Sequence, residues 1–368
     1  MQLKLGSVTV VTTNSPDMAR QFLKTHDSTF ASRPRLAAGK HTTYNYSNIT
    51  WSACGPHWRQ GRKIMLTHLF SLKSLEAYER VRVEERSDFL ARLHGSRGEH
   101  VRVKDHLSRL NLSVMSRIVL GRNHFTGSNN HRNDRSSGES GVLRLEEIQK
   151  ILDELFSISA AFVVGNCIPW LARLDLKGYV KRMKILGQKF DEFLEFCIDE
   201  HMMARNGQPK GPAKDMMDVL LDLADDPDLE VKLTIDNVKG FTLDLLAGGT
   251  DTAATTVEWA MAELMKNPEK INTAAEELDR VIGRGRWVEE KDTPNLPYLD
   301  AILKGNFQAA PGWLAAHPAR GPQRLPSRTL PHFQRHFGPD QPVEHGSEPG
   351  RVGLSGGVPS GEVFEQGH

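Results

Sequence analysis

Cysteine is scarce in this 368-residue chain: Cys54, Cys167 and Cys197 stand far apart and none forms a CxxC pair. A disulfide framework and a zinc-finger type of metal site are therefore both unsupported. No apolar run reaches the roughly 18 residues that a membrane span needs. The opening residues Met1 to Thr12 alternate like a strand, unlike a signal peptide, so the chain as written is expected to be soluble. An excess of one charge sign is also missing, since 47 basic and 46 acidic side chains leave a formal charge of +1, with no stripe of Lys and Arg. Nucleic acid is not an expected partner. What is present, 39% hydrophobic and 25% charged residues, is the composition of a globular protein with a sizeable core. The length allows one large domain or two units.

Valine-rich alternation over residues 2–12 predicts a strand or a short hairpin around Gly6. Asn14, Ser15 and Pro16 then open a helix to His26. Residues 30–56 show no clear period and read as a long ordered loop. From Trp58 to His94 the spacing predicts two amphipathic helices split near Phe70 to Lys73. Further helices are expected over Lys104 to Leu120, Arg144 to Ala161, Lys177 to Arg205 and Met216 to Leu223. Polar segments rich in Gly, Ser, Asn or Pro separate them at residues 121–141 and 206–214, and the first reads as a mobile surface loop. The longest helical stretch runs from Thr234 to the stop at Asn267 and Pro268. Helices from Pro268 to Ile282 and from Pro297 follow. The fold class is mainly α with a small N-terminal β-sheet, built around one long central helix.

Two constellations carry chemistry. Trp58 and Arg62 in HWRQGRK are four residues apart on a helix, which puts an indole N–H and a guanidinium on one face. Together they suit an anion such as a buried propionate, or they form a cation–π pair on a surface helix. The second is LLAGGTDTAATT, with Gly248, Gly249, Thr250, Asp251, Thr252 and Thr255 deep in the longest helix. Two glycines there cost about 2 kcal/mol relative to alanine, so something approaches the backbone closely. That something is a flat cofactor or a crossing helix. The Thr252 hydroxyl can perturb the helical hydrogen bonds and leave space for oxygen and water, with Asp251 beside it to feed protons.

In order and spacing these pieces, with QLKLGSVTVVTT, MARQFLKTHDSTFASRPR, AGGTDTAATTVEWAMAELMKNP and NLPYLDAILK, resemble the cytochrome P-450 family, specifically plant enzymes related to flavonoid hydroxylases. The resemblance covers most of residues 1–304. It implies haem b as cofactor, with Trp58 and Arg62 at a haem propionate, Gly248 and Gly249 over the haem face, and Asp251 and Thr252 relaying protons in oxygen activation. It implies a monooxygenase that hydroxylates a small apolar plant metabolite with O2 and electrons from an NADPH-cytochrome reductase. Substrate contacts would come from Ala37 to Ser52, Phe162 to Trp170 and Leu243 to Ala247. The full-length parent would sit in the endoplasmic-reticulum membrane, with this anchorless chain soluble or peripherally associated.

The resemblance stops at Lys304. The family's Glu-x-x-Arg and its glycine-rich loop with the cysteine ligand are missing, and none of the three cysteines takes the ligand position. An incomplete fold is expected over 1–304, followed by a disordered tail over 305–368, which contains no Lys, Ile, Tyr, Met or Cys. Gly305 to Pro311 can be encoded GGA AAC TTT CAG GCT GCA CCC, and one base later this reads Glu-Thr-Phe-Arg-Leu-His. Ser355 to Phe364 can likewise be encoded to give Pro-Glu-Glu-Phe-Arg-Pro-Glu-Arg-Phe in the same shifted frame. A single-base frameshift after Lys304, with loss at both ends and an inactive product, is the expectation. The alternative is a noncatalytic helical protein that binds an apolar ligand or a partner through an incompletely covered core.

Overall fold

Alternating valines pair as expected. In the computed structural model, which describes residues 1–122, 145–205 and 215–309, β1 (Gln2–Leu5) and β2 (Val8–Val11) form an antiparallel hairpin with Leu3 opposite Val10. Gly6 turns it at a φ of +63°, in the left-handed region that glycine enters without strain. Ser7 then ties the turn to Cys167 through its backbone N–H and its hydroxyl, both 2.8 Å from the Cys167 carbonyl.

Ser15 caps α1 (Pro16–Arg20), which widens into a π turn over Gln21–Thr25 before the short α2 (Asp27–Phe30). The expected long loop at 30–56 is only partly a loop. It contains α3 (Ala37–Thr42), followed by Tyr44, Asn45 and Tyr46 in the left-handed region. Long-range contacts rather than periodicity hold it there: the α3 backbone packs against Gly187, where no side chain could fit.

The predicted helical pair at 58–94 is α4 (Pro56–Ile64) with a π turn to Leu69, then α5 (Leu72–Ala77) and α6 (Glu79–Gly95). Ser71 supplies the cap at the predicted break. After α7 (Val103–Leu120) come α8 (Leu145–Ser159), the single turn α9 (Val164–Cys167), and a 3-10 segment at Pro169–Leu174. Next are α10 (Tyr179–Arg205) and α11 (Met216–Ala224). The loops expected at 121–141 and 206–214 lie outside the described residues, apart from Gly121 and Arg122.

The long helix α12 (Ile235–Lys266) begins with a reciprocal cap between Thr234 and Asn237. Asn267 and Pro268 stop it and open α13 (Pro268–Val281). α14 (Pro297–Ala309) continues past Lys304, so the expected sharp boundary at Gly305 is not where the helix ends; no proline blocks it before Pro311. Residues 310–368 of the expected tail lie outside the described residues. The core gathers around α12: Val238, Phe241, Leu243 and Leu246 pack with Leu112 and Val119 of α7, Phe190 and Leu194 of α10, and Met217 and Leu220 of α11. No helix among the described residues is long and apolar enough to cross a membrane.

Candidate cofactor face on the central helix

α12 is buried along most of its first half and then opens. Ala247 and Thr250 are buried, whereas Gly248 and Thr252, four residues apart on one face, are exposed. A Cβ built on Gly248 meets no heavy atom within 4 Å. One built on Gly249 comes 2.5 Å from Met115 Sδ of α7. The glycine pair therefore divides: Gly249 admits the crossing helix α7, and Gly248 alone leaves a bare backbone on the open face.

The threonines belt this stretch. Thr252 Oγ1 donates to the Gly248 carbonyl (2.7 Å), Thr250 Oγ1 to Leu246 (2.6 Å) and Thr256 Oγ1 to Thr252 (2.9 Å). The stretch is α-helical throughout, and the Thr252 hydroxyl bonds back to the carbonyl one turn before it. Asp251 is mostly buried and faces α7, where Lys104 Nζ lies 3.9 Å from Oδ1. Thr255 is buried and its hydroxyl has no partner among the described residues.

α4 is seated on α12 through His57, whose ring lies 5.8 Å from that of Phe241, and through Gly61, which lets Phe241 approach. That seating leaves Trp58 half-buried and Arg62 exposed. The guanidinium lies over the indole, 5.1 Å from the ring centroid. The cation–π pair is thus present, and the exposed guanidinium is available to an anion.

A residue that the sequence analysis passed over organises the neighbouring loop. Asp244 accepts four hydrogen bonds from residues 48–50: Asn48 Nδ2 (2.6 Å) and Thr50 Oγ1 (2.8 Å) on Oδ1, and the backbone N–H groups of Ile49 (2.8 Å) and Thr50 (3.1 Å) on Oδ2. Burial pushes this carboxyl above the usual aspartate range, and the four donors pull the other way. Gly240 lets the Asn48 backbone approach the helix, and Asn237 Nδ2 and His57 Nε2 both reach the Ser47 carbonyl. A lone acid inside the apolar run FTLDLLAGG was the available signal. Of the expected substrate segments, residues 47–52 adjoin α12, Phe162 and Trp170 are exposed, and Leu243, Leu245 and Leu246 lie in the core.

Two separate features here suit a haem. The bare Gly248 backbone suits a flat macrocycle and Arg62 suits a propionate. The thiol donors do not complete it. Cys197 is buried in the core with its thiol pushed up to about 12 by burial, and Cys167 is buried beneath the β1–β2 turn, its thiol also raised by burial. Cys54 stands in the loop before α4.

A family model described as cytochrome P450 matches residues 1–305. The chain is 38% identical over 338 residues to a trimethyltridecatetraene synthase of Zea mays, covering 87% of this chain and 59% of that protein. It is 36% identical to a flavonoid 3'-monooxygenase of Petunia hybrida, covering 84% and 59%. A solved zebrafish cytochrome P450, in a structure with abiraterone, superposes with a TM-score of 0.66 at 22% identity, covering 84% of this chain and 65% of that one. The chain thus spans about three-fifths of the length of the curated relatives it matches.

Proposed function

The chain belongs to the cytochrome P450 family, and from that premise we propose that it represents the central-helix portion of a haem monooxygenase acting on a small apolar plant metabolite, flavonoid-like or another secondary metabolite. The single observation that carries this reading is Gly248, bare and exposed where the buried first half of α12 ends. Haem, when bound, supplies the iron chemistry that activates dioxygen. This chain's own residues would bind and orient: Arg62 with Trp58 holds a propionate, and Gly248 leaves room for the ring. Thr252 presents its hydroxyl on the same open face, and Asp251 stands next to it as a proton carrier. Residues 47–52, fixed by Asp244, would wall the substrate side. Electrons would come from an NADPH-dependent reductase, and the parent protein would work at the endoplasmic-reticulum membrane.

The same reading takes the chain by itself as catalytically inactive, because Cys167 and Cys197 are buried elsewhere and Cys54 precedes α4, outside the family's ligand position, and takes residues 305–368 as an out-of-frame extension. Sequencing the transcript across the Lys304 codon checks the latter: one base too many or too few supports it, and an uninterrupted frame contradicts it. Haemin titration of the purified chain tests the site. Gly248→Phe, placed where nothing else stands, abolishes uptake if haem lies on that face; unchanged uptake overturns the assignment.

A second reading has its own observation. Val257, Met261 and Met265 form an exposed apolar stripe on the second half of α12, round the helix from Gly248, which suits an apolar ligand or partner without catalysis. Binding of a neutral apolar dye that survives Gly248→Phe and haemin competition favours that alternative.

A further inference from the structure

A separate cleft, sharing no residue with the Gly248 face, opens between α3, the connector 160–178 and the start of α10. It has a volume of about 390 Å³, within the range of small-molecule sites. Its walls include the apolar side chains of Phe162, Leu171 and Leu176. Around them stand five cations, Arg35, Lys40, Arg173, Lys177 and Lys184. An adjoining cleft of about 380 Å³ shares Arg173 and Lys184 and adds Lys181.

The charge is unbalanced. Among the described residues none of the five is paired with a carboxylate, and Arg35 has only the Tyr46 ring, 5.9 Å away. The one acidic lining residue, Asp175, is already engaged: its oxygens accept the backbone N–H groups of Val180 (3.0 Å) and Lys181 (2.9 Å) at the start of α10. His41, on the same wall, is held below the ordinary imidazole value by burial and then by Lys184 and Lys40. An apolar wall ringed by uncompensated cations on three different segments matches a ligand with one anionic end and an apolar body.

We propose that this cleft binds a monomeric amphipathic organic anion, its carboxylate among Lys40, Arg173 and Lys184 and its apolar body against Phe162, Leu171 and Leu176. The site needs no haem, and it draws Lys40 and Phe162 from two of the segments expected to contact substrate, 37–52 and 162–170. Isothermal titration of the full chain with decanoate, kept below its micelle concentration, is the test, with decanol, inorganic phosphate and phosphatidylglycerol vesicles as comparison arms. Decanoate is expected to bind one-to-one and more weakly at high salt. The double variant Arg173→Met/Lys184→Met is expected to weaken decanoate about tenfold, as for the loss of two partly screened charge contacts, and to leave decanol unchanged. Lys40→Met, on a different segment, is expected to weaken decanoate in the same direction. These side chains are exposed, so unchanged circular-dichroism melts verify folding. Equal affinity for decanoate and decanol overturns the proposal, as does phosphate binding as tightly as decanoate. So does an effect of the variants on vesicles alone, which would make the basic rim a surface for anionic membranes.

Discussion

Replacing Asp244 by alanine removes the acceptor for four hydrogen bonds at once. Thr50 is exposed, so its N–H and hydroxyl turn to water at little cost. Asn48 is 1% exposed and Ile49 is half-buried, so Asn48 Nδ2 and the Ile49 N–H lose partners that water replaces poorly. At about 1–3 kcal/mol for each buried group left unsatisfied, the alanine variant should lose about 3 kcal/mol in the attachment of residues 48–50. Asparagine is the informative comparison. Its carbonyl can take the two backbone N–H groups, and the Thr50 hydroxyl can reverse to accept from its amide. The Asn48 side chain cannot reverse, because its Oδ1 already accepts the Trp51 N–H at 3.1 Å. One mismatched contact remains, at a cost of about 1 kcal/mol. Native-state hydrogen exchange at the Ile49 amide reads this directly: about a hundredfold faster in Asp244→Ala and about fivefold in Asp244→Asn. Exchange that is unchanged in the alanine variant refutes the latch.

The divided glycine pair makes an opposite forecast for its two members. Gly248→Ala should stabilise the ligand-free chain by about 0.5–1 kcal/mol from helix propensity, since its Cβ enters open space, while Gly249→Ala should lose that gain against Met115; urea unfolding compares them, and equal effects would contradict the division. His201 carries a pH dependence. Its Nδ1 lies 2.7 Å from the Cys197 carbonyl and its Nε2 3.1 Å from Asp215 Oδ2, so both bonds are made only by the imidazolium. Burial lowers this histidine, but the hydrogen bond and charge of Asp215 outweigh it and the net shift is upward. The stabilisation is therefore fully present below the ordinary value of 6.5 and is lost as pH rises through the raised folded value. His201→Gln should flatten the melting temperature across that window, and a wild-type profile that is already flat would count against it.

Elements set by local chemistry were legible in the sequence. The helix start at Thr234, the Asn267–Pro268 stop, the Gly6 turn and the break near Phe70 to Lys73 each rest on residues within a few positions of one another. What escaped depends on distant partners. α3 and the left-handed turn at Tyr44–Tyr46 are held by α10 and α12, and the Asp244 latch joins residues nearly two hundred positions apart. The motif AGGTDT announced an approach to the backbone at both glycines, but only the packing of α7 tells which one meets a helix and which stays open. Trp58 and Arg62 were placed on one face by spacing, which allowed a propionate clamp or a cation–π pair, and the pair is present.

The account stands on a haem face without a thiolate beside it, and the reduced carbon monoxide difference spectrum of the haemin-loaded chain tests that most directly. The account predicts haem uptake that depends on Gly248 and Arg62 but a spectrum lacking the thiolate-type band. A thiolate-type band that disappears in Cys54→Ser, Cys167→Ser or Cys197→Ser would contradict it.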